Sequence, residues 1–581
     1  MKFRTRSLIK QIACSSLATL FAHGANASVP CESLVNATLP SAQVVAATSI
    51  TPPMTFTGAG GTGTVTVPFC RVQGIASANS GSQINFEVWL PPDAAWTGRL
   101  KAEATGGYLG GVAYARMADE IPQGFVEVGS DLGHTGGQSP TWDLIAQKVD
   151  DYGYRAHYYV ANAAKAVVAA FYGRPPDHSY FDGCSGGGRQ AHIVASRFPQ
   201  LYDGVLAGDP SMFYPDVILE LMWLNKLLLP QPAPAPQTVP AAKLALVGAA
   251  TNAACDAMDG LADNQITDPR ACSFDVALLT CPAGDQPTCL TPDQVTIVKE
   301  VQRGPHTTAG FNYWPGPYPG SEGFWIPNFA DSQRFANFAG DVVYANPAFN
   351  YRTDLNFDTD YQHIKDVLTP LTAAPTPDLS VFRQRGGKMI QYHGWFDPVV
   401  PAHESQSYYA ALALMEKTRS VPFVLDQVAA TMSPASIATL VTSLPGPRDY
   451  FRLFMVPNMA HCGGGNGPNA FGESATLPAS APDADHDVVR ALIRWVEQGI
   501  PPEKVIATQY VNNSPAQGIL RQRPLCAYPD VARYNGTGDI NSASSFSCTA
   551  PDLANLVPSA AEMAQIRYSI ESRKLIVPTT Q

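Results

Sequence analysis

The sequence predicts an α/β protein built on a largely parallel sheet, and three observations carry that expectation. Strand-like and helix-like stretches alternate in both the first and the last third of the chain. A glycine-rich turn, Gly183-Cys184-Ser185-Gly186-Gly187, stands between one such strand and the helix after it. Residues 212–377 have a different texture and separate two α/β portions, 28–211 and 378–581.

In chain order, residues 1–27 carry Lys2, Arg4, Arg6 and Lys10, then an apolar stretch, then Ala25-Asn26-Ala27. A basic start, an apolar middle and a small-x-small site read as a secretory signal peptide, so a secreted or periplasmic mature chain is expected. Residues 28–80 read as short strands and loops lying against the main body. Residues 84–90 alternate and stop at Pro91-Pro92, and 100–104 and 124–130 are further strands. Residues 149–172 lack proline and read as one long helix. A strand at 180–182, a helix over 189–198 and a strand at 204–207 follow. The middle segment has a proline-rich stretch at 230–240, four cysteines and an aromatic Gly/Pro run at 311–320, the marks of an inserted domain. From Lys388 the α/β pattern returns, with strands at 388–394 and 451–459 and helices over 405–416 and 485–498. Residues 553–581 read as a peripheral helix or a loose tail.

Composition narrows the function. At 581 residues and 45% hydrophobic, the chain is long and apolar enough for a large core, which excludes wholesale disorder. The formal charge of −11 becomes more negative once the basic leader is removed, and without a basic patch no nucleic-acid partner is expected. Beyond residue 27 the longest apolar candidate, 217–229, is interrupted by Glu220 and Lys226, so no transmembrane segment is expected. Of 11 cysteines, Cys14 lies in the leader, and the even remainder suits disulfides in an oxidising compartment. The glycine-rich loop 106–111 does not resemble a dinucleotide fingerprint and no GxxxxGK phosphate loop occurs, so no organic cofactor is expected.

The chemistry concentrates in a few loops. Gly183 to Gly187 match G-x-S-x-G between strand and helix, the setting of a nucleophile elbow, where small neighbours let the two elements close around a strained serine. A serine hydroxyl needs a base to take its proton and a carboxylate to orient that base. Asp397, in the loop after 388–394, and His461, in the loop after 451–459, supply both in the chain order Ser, acid, His. Asp483 and Asp487 come too late for that order. Cys184 precedes the serine and Cys462 follows the histidine, so a shared Ser185–His461 hydrogen bond brings the two cysteines within bridging reach. A bridge would also disable Cys184 as a rival nucleophile. The loop 106–111 is placed to donate a second oxyanion amide beside that of Gly186. The acidic loop 255–268 offers hard oxygen ligands around a glycine, which suits a structural calcium ion. Phe311, Tyr313, Trp314, Tyr318, Phe324 and Trp325 are candidates for a planar-substrate pocket or for core packing, and His134 beside Asp131 reads as loop packing rather than a metal pair.

GCSGGGRQ at 183–190, the HGxxD loop at Asp397, the MxHC loop at Cys462, CDAxDGLAD at 255–263 and RPLCxYPxxARYxGxGD at 523–539 together resemble the tannase and fungal-type feruloyl esterase family. The resemblance covers nearly the whole mature chain and implies an α/β-hydrolase fold with a large inserted lid domain, 212–377. It implies Ser185, Asp397 and His461 as catalytic triad, oxyanion amides from Gly186 and Leu109, and disulfides Cys184–Cys462, Cys31–Cys70, Cys255–Cys272, Cys281–Cys289 and Cys526–Cys548. Calcium would be held by the side chains of Asp256, Asp259 and Asp263 and the backbone oxygens of Leu261 and Gln265. The five-pair set looks most like the branch that hydrolyses terephthalate monoesters. Where that branch has a lid arginine for the substrate carboxylate, this chain has Phe324. Gly186 replaces a glutamate, and Tyr108 fills a small-residue position beside the oxyanion loop. The expected activity is therefore hydrolysis of small aromatic-acid esters, feruloyl or related, with galloyl or terephthalate monoesters as alternatives. A non-catalytic polyphenol- or carbohydrate-binding protein on a hydrolase scaffold, and a calcium-dependent structural protein, are the readings from other classes.

Overall fold

The computed structural model describes residues 28–575 apart from 137–141, 231–235, 326–332, 373–375, 420–424, 444–445 and 474–476. The leader expected at 1–27 lies outside the described residues. A nine-stranded mixed sheet is built from β1 (Ala42–Ile50), β4 (Phe69–Ala76), β5 (Ile84–Leu90), β6 (Arg99–Glu103), β7 (Val126–Ser130), β8 (His178–Cys184), β9 (Gly204–Gly208), β10 (Lys388–Gly394) and β11 (Phe451–Val456). A hairpin of β2 (Met54–Gly58) and β3 (Gly61–Val65) stands apart, as do the pairs β12 (Lys504–Tyr510) with β13 (Ile519–Cys526) and β14 (Val531–Tyr534) with β15 (Phe546–Thr549).

The sheet order is β1-β4-β5-β7-β6-β8-β9-β10-β11. The first three strands and their join to β7 are antiparallel, and every pair from β7 to β11 is parallel. Parallel strands need crossovers, and helices supply them on both faces, so β9 and β11 are buried throughout and β10 at all but its first residue. This is the α/β-hydrolase architecture. Strands expected only to lie against the body, β1 and β4, instead extend the sheet at its edge.

Helix boundaries shift where local chemistry decides them. The helix expected over 149–172 starts at Ala146, opens into a π turn over Asp151–Arg155 and continues as Ala156–Tyr172. Gly153 lies in that π turn, where a Cβ would stand 2.3 Å from the Leu371 carbonyl, so close approach of two backbones accompanies the irregularity. The helix expected from 485 begins at Val488, because the Asp487 side chain accepts from the Val489 and Arg490 amides as its N-cap. The C-terminal stretch is a helix, Ala560–Ser572, whose Met563, Ile566 and Ile570 are buried. It is docked by a 2.9 Å contact of Glu562 with His403, at the start of helix His403–Thr418.

Between β9 and β10 the chain makes a mainly helical insertion that includes Tyr214–Leu228, Ala241–Cys255, Pro292–Arg303, Gln333–Val342 and Asp360–Thr372. The cysteines pair as Cys31–Cys70, Cys184–Cys462, Cys255–Cys272, Cys281–Cys289 and Cys526–Cys548. Among the described residues no helix is long and apolar enough to cross a membrane.

Candidate active site

The site lies at the carboxyl ends of the parallel strands, where such sheets open their crevice. β8 ends at Cys184 and the helix Gly186–Arg197 begins at once, which leaves Ser185 at the corner with φ 63° and ψ −122°. Left-handed backbone at a serine is strained, and the surrounding contacts hold it. The Ser185 amide donates to the Gly208 carbonyl at 2.9 Å, and the Ser185 carbonyl accepts from the Arg189 amide at 3.0 Å. The flanking glycines are required by space. A Cβ on Gly183 would stand 2.7 Å from both the Ala104 Cβ and the Gly187 carbonyl carbon.

β10 delivers Asp397 and β11 delivers His461. The His461 Nδ1–H donates to Asp397 Oδ2 at 2.6 Å. Asp397 Oδ1 accepts from the amides of Val399 at 2.8 Å and Val400 at 3.0 Å, so both oxygens of this buried carboxylate are occupied. The two loops are sewn together: the Phe396 amide donates to the Met459 carbonyl at 3.0 Å. Gly394 has no room for a side chain, because a Cβ there would lie 2.4 Å from the same carbonyl. The Cys184–Cys462 bridge then links the residue before Ser185 to the residue after His461.

Electrostatics follow the packing. Burial opposes charge on Asp397, yet the facing imidazoles of His461 and His393 outweigh it and hold the carboxyl well below its usual range. Burial likewise opposes charge on His461, and Asp397, with Asp209 behind it, raises the imidazole above its ordinary value. His393 is itself fully buried, its Nδ1 2.6 Å from Ser405 Oγ and its Nε2 2.8 Å from the Val400 carbonyl.

The oxyanion loop differs from expectation at Leu109. Its amide turns back to donate to the Gly106 carbonyl at 3.3 Å, and its carbonyl accepts from Thr105 Oγ1 at 2.9 Å. The loop residue that lies against Gly186 is Gly107, whose nitrogen is 2.9 Å from where a Gly186 Cβ would be. The Gly107 carbonyl is held by the Tyr152 hydroxyl at 3.0 Å.

Tyr108 is buried rather than open. Its ring lies 5.8 Å from Tyr152, 6.1 Å from Tyr214 and 5.1 Å from Phe338, a residue of the insertion helix Gln333–Val342. Trp142 packs 6.0 Å from Phe338 and stacks 4.0 Å from His134. His134 also places Nε2 3.0 Å from the Tyr108 carbonyl, so it packs the loop. Of the six aromatics singled out in the insertion, Phe324 reaches Phe396 beside Asp397, at 6.3 Å, and Tyr318 reaches Trp395 at 5.1 Å. Trp314 and Trp325 are core, and Phe311 is exposed. The aromatic group around Tyr108 escapes sequence reasoning because its members are scattered along the chain without periodicity.

The expected calcium loop shows a different arrangement. Among the described residues, the triads of side chains whose ligand atoms lie within 4.8 Å are Cys184–Asp209–Cys462 and Asp209–Asp397–His461, not Asp256, Asp259 and Asp263. That Asp/His/Cys grouping has metal-like spacing, but its cysteines form a disulfide and its acid and histidine share a hydrogen bond. In the loop, Asp256 Oδ1 accepts from the amides of Asp263 at 3.0 Å and Gln265 at 3.1 Å, and Asp259 accepts from the Leu261 amide at 3.0 Å. Asp263 Oδ2 is paired with Arg523, while its Oδ1 is buried with no hydrogen-bond partner. An orphaned carboxylate oxygen beside two more carboxylates is a hard-oxygen donor set and fits a calcium ion.

Fold and site define a carboxylic ester hydrolase of the α/β-hydrolase class. The chain belongs to the tannase and feruloyl esterase family, whose model matches residues 70–549. It is 35% identical to an uncharacterized esterase of Xanthomonas campestris over 94% of this chain and 96% of that one. It is 31% identical to the mono(2-hydroxyethyl) terephthalate hydrolase of Piscinibacter sakaiensis, over 83% of this chain and 85% of that one. The crystal structure of feruloyl esterase B from Aspergillus oryzae superposes with a TM-score of 0.76 at 27% identity, covering 89% of this chain and 99% of that one. The likeness therefore extends across the family and does not single out the terephthalate branch.

Proposed function

We propose that the protein is an exported serine esterase for esters of aromatic acids, working through Ser185, His461 and Asp397. The observation that carries this reading is the 2.6 Å His461–Asp397 hydrogen bond, in loops bridged by Cys184–Cys462 to the strained Ser185. His461 takes the proton of Ser185 Oγ as that oxygen attacks the ester carbonyl, and Asp397 holds the imidazole and balances its positive charge. The amides of Gly186 and Gly107, in place of Leu109, meet the developing oxyanion. His461 returns its proton to the departing alcohol. Water, deprotonated by His461, then cleaves the acyl-serine to the free acid and regenerates the enzyme.

The aromatic acyl group is supported by the names of two of these relatives, a terephthalate monoester hydrolase and a feruloyl esterase, and by the rings of Phe324 and Phe396 at the acid loop. Phe324 offers no charge to a free carboxylate, which favours feruloyl or galloyl esters over terephthalate monoesters. Residues 212–377 act as the lid, and 1–27 as the export signal. Calcium would be held by Asp256, Asp259 and Asp263 with the backbone oxygens of Leu261 and Gln265, where it would brace the insertion.

The test is turnover of methyl ferulate, a gallate ester and a terephthalate monoester by wild type and Ser185→Ala. Loss of at least about 10³-fold in kcat in the variant, with unchanged folding, is expected. Undiminished turnover by Ser185→Ala overturns the mechanism, and preference for small aliphatic esters with no aromatic-acid turnover overturns the substrate class.

A further inference from the structure

We propose that Asp209 is a positioning residue of this site: its buried carboxylate ties the base loop to the acid loop and sets a second negative charge behind His461. The inference rests on the triad reading above.

Asp209 is the first residue after β9 and is fully buried. Its backbone sits at φ 35°, outside the usual range for L-residues and better tolerated by Asp and Asn than by most. That conformation is fixed by its own amide, which donates to the Tyr392 carbonyl of β10 at 2.9 Å. The side chain then reaches two other loops. The Gly394 amide, at the start of the acid loop, donates to Oδ1 at 2.8 Å, and the Cys462 amide, next to His461, donates to Oδ2 at 3.2 Å. Three strand ends therefore meet at one carboxylate, through amides that a space-filling residue would leave unpaired. Hydrogen bonds to an ionised acceptor are the stronger kind, and they act where the base must hold its position.

The second part is electrostatic. Ligand atoms of Asp209, Asp397 and His461 all lie within 4.8 Å of one another. A carboxylate that close, itself fully buried, favours the imidazolium form of His461. The groups facing Asp209 are His393, whose Nε2 is 3.7 Å away, together with Asp397, His461, the Tyr392 phenol and Glu473. The neighbouring cysteines are oxidised and do not titrate. Burial pushes the Asp209 carboxyl up to about 7, with His393 opposing and Asp397 reinforcing the rise.

Asp209→Asn suits the left-handed backbone and keeps one acceptor while removing the charge. Two readouts are taken on it: the pH dependence of kcat/KM, and an NMR titration of the His461 imidazole in substrate-free protein. The His461 midpoint and the acid limb of kcat/KM are both expected to fall by about one pH unit. Asp209→Ala, which loses both tethers, is expected to lose about 10²-fold in kcat, with Asp209→Asn recovering part of it. An unchanged His461 midpoint in Asp209→Asn overturns the electrostatic role, and equal kcat for wild type and Asp209→Ala overturns the tether. Should Asp209→Asn not fold, Asp209→Ser, uncharged and with one acceptor, is measured in the same way. The NMR titration needs no turnover, so a wild type inactive on every ester overturns the triad reading and leaves this test standing.

Discussion

Replacing Cys184 and Cys462 together by alanine removes the one covalent link between the nucleophile and base loops. The residues are separated by 278 positions, so the bridge closes a very long loop in the unfolded chain. In the chain-entropy treatment a loop of that length is worth about 5.6 kcal/mol at 25 °C. The true loss is smaller, because Cys255–Cys272 and Cys281–Cys289 lie inside the same loop and already shorten it. A loss of about 3–5 kcal/mol is therefore expected from guanidinium unfolding under non-reducing conditions. Activity should fall as well. Ser185 and His461 each adjoin one of the bridged cysteines, and a displacement of about 1 Å at such a site costs about 10²-fold in rate. The fall should lie in kcat more than in KM, since the bridge holds reacting groups rather than substrate. A double variant with the wild-type unfolding midpoint and wild-type kcat would refute the claim that this bridge holds the two loops in working geometry.

Three further outcomes follow from named contacts. The general base must be unprotonated, and Asp397 outweighs burial to raise His461 above its ordinary 6.5, so kcat/KM should fall as pH drops through a midpoint above 6.5; a midpoint well below that value contradicts the assignment. Calcium should raise the melting temperature, by about 2.7 kcal/mol of stabilisation at a hundredfold excess over Kd, and a chelator should reverse it; Asp263→Asn should lose the response, and a wild type indifferent to calcium removes the ion from the account. Phe338→Ala should cost about 3–5 kcal/mol in stability by emptying the space among Tyr108, Trp142, Tyr152 and Tyr214, a loss read by chemical unfolding; an unchanged stability would mean that Phe338 is not a packing anchor of the insertion.

Ser185 was legible because an elbow leaves a local pattern: two glycines, each excluded from larger side chains by a contact within a few residues or with Ala104. Asp397 and His461 were legible because each follows an apolar parallel strand in the required order. Asp209 was not, since one aspartate after a short strand carries no pattern until Gly394 and Cys462 are folded against it. The turn that points the Leu109 amide to the Gly106 carbonyl likewise depends on loop conformation, which spacing does not encode. The acidic loop was visible as composition, but Arg523, which pairs with Asp263, comes from β13 at the far end of the chain. The parallel character of the sheet's core followed from the alternation of elements, whereas its antiparallel extension by β1 and β4 did not, because short runs broken by Gly, Pro and Ser do not reveal which strands they pair with.

The central claim is that Ser185 is the nucleophile, and a serine-directed fluorophosphonate followed by peptide mass spectrometry tests it most directly. One label per chain on Ser185, with ester turnover lost in proportion to labelling, is the expected result. Full turnover after stoichiometric labelling, or a label carried by a different residue, would contradict it.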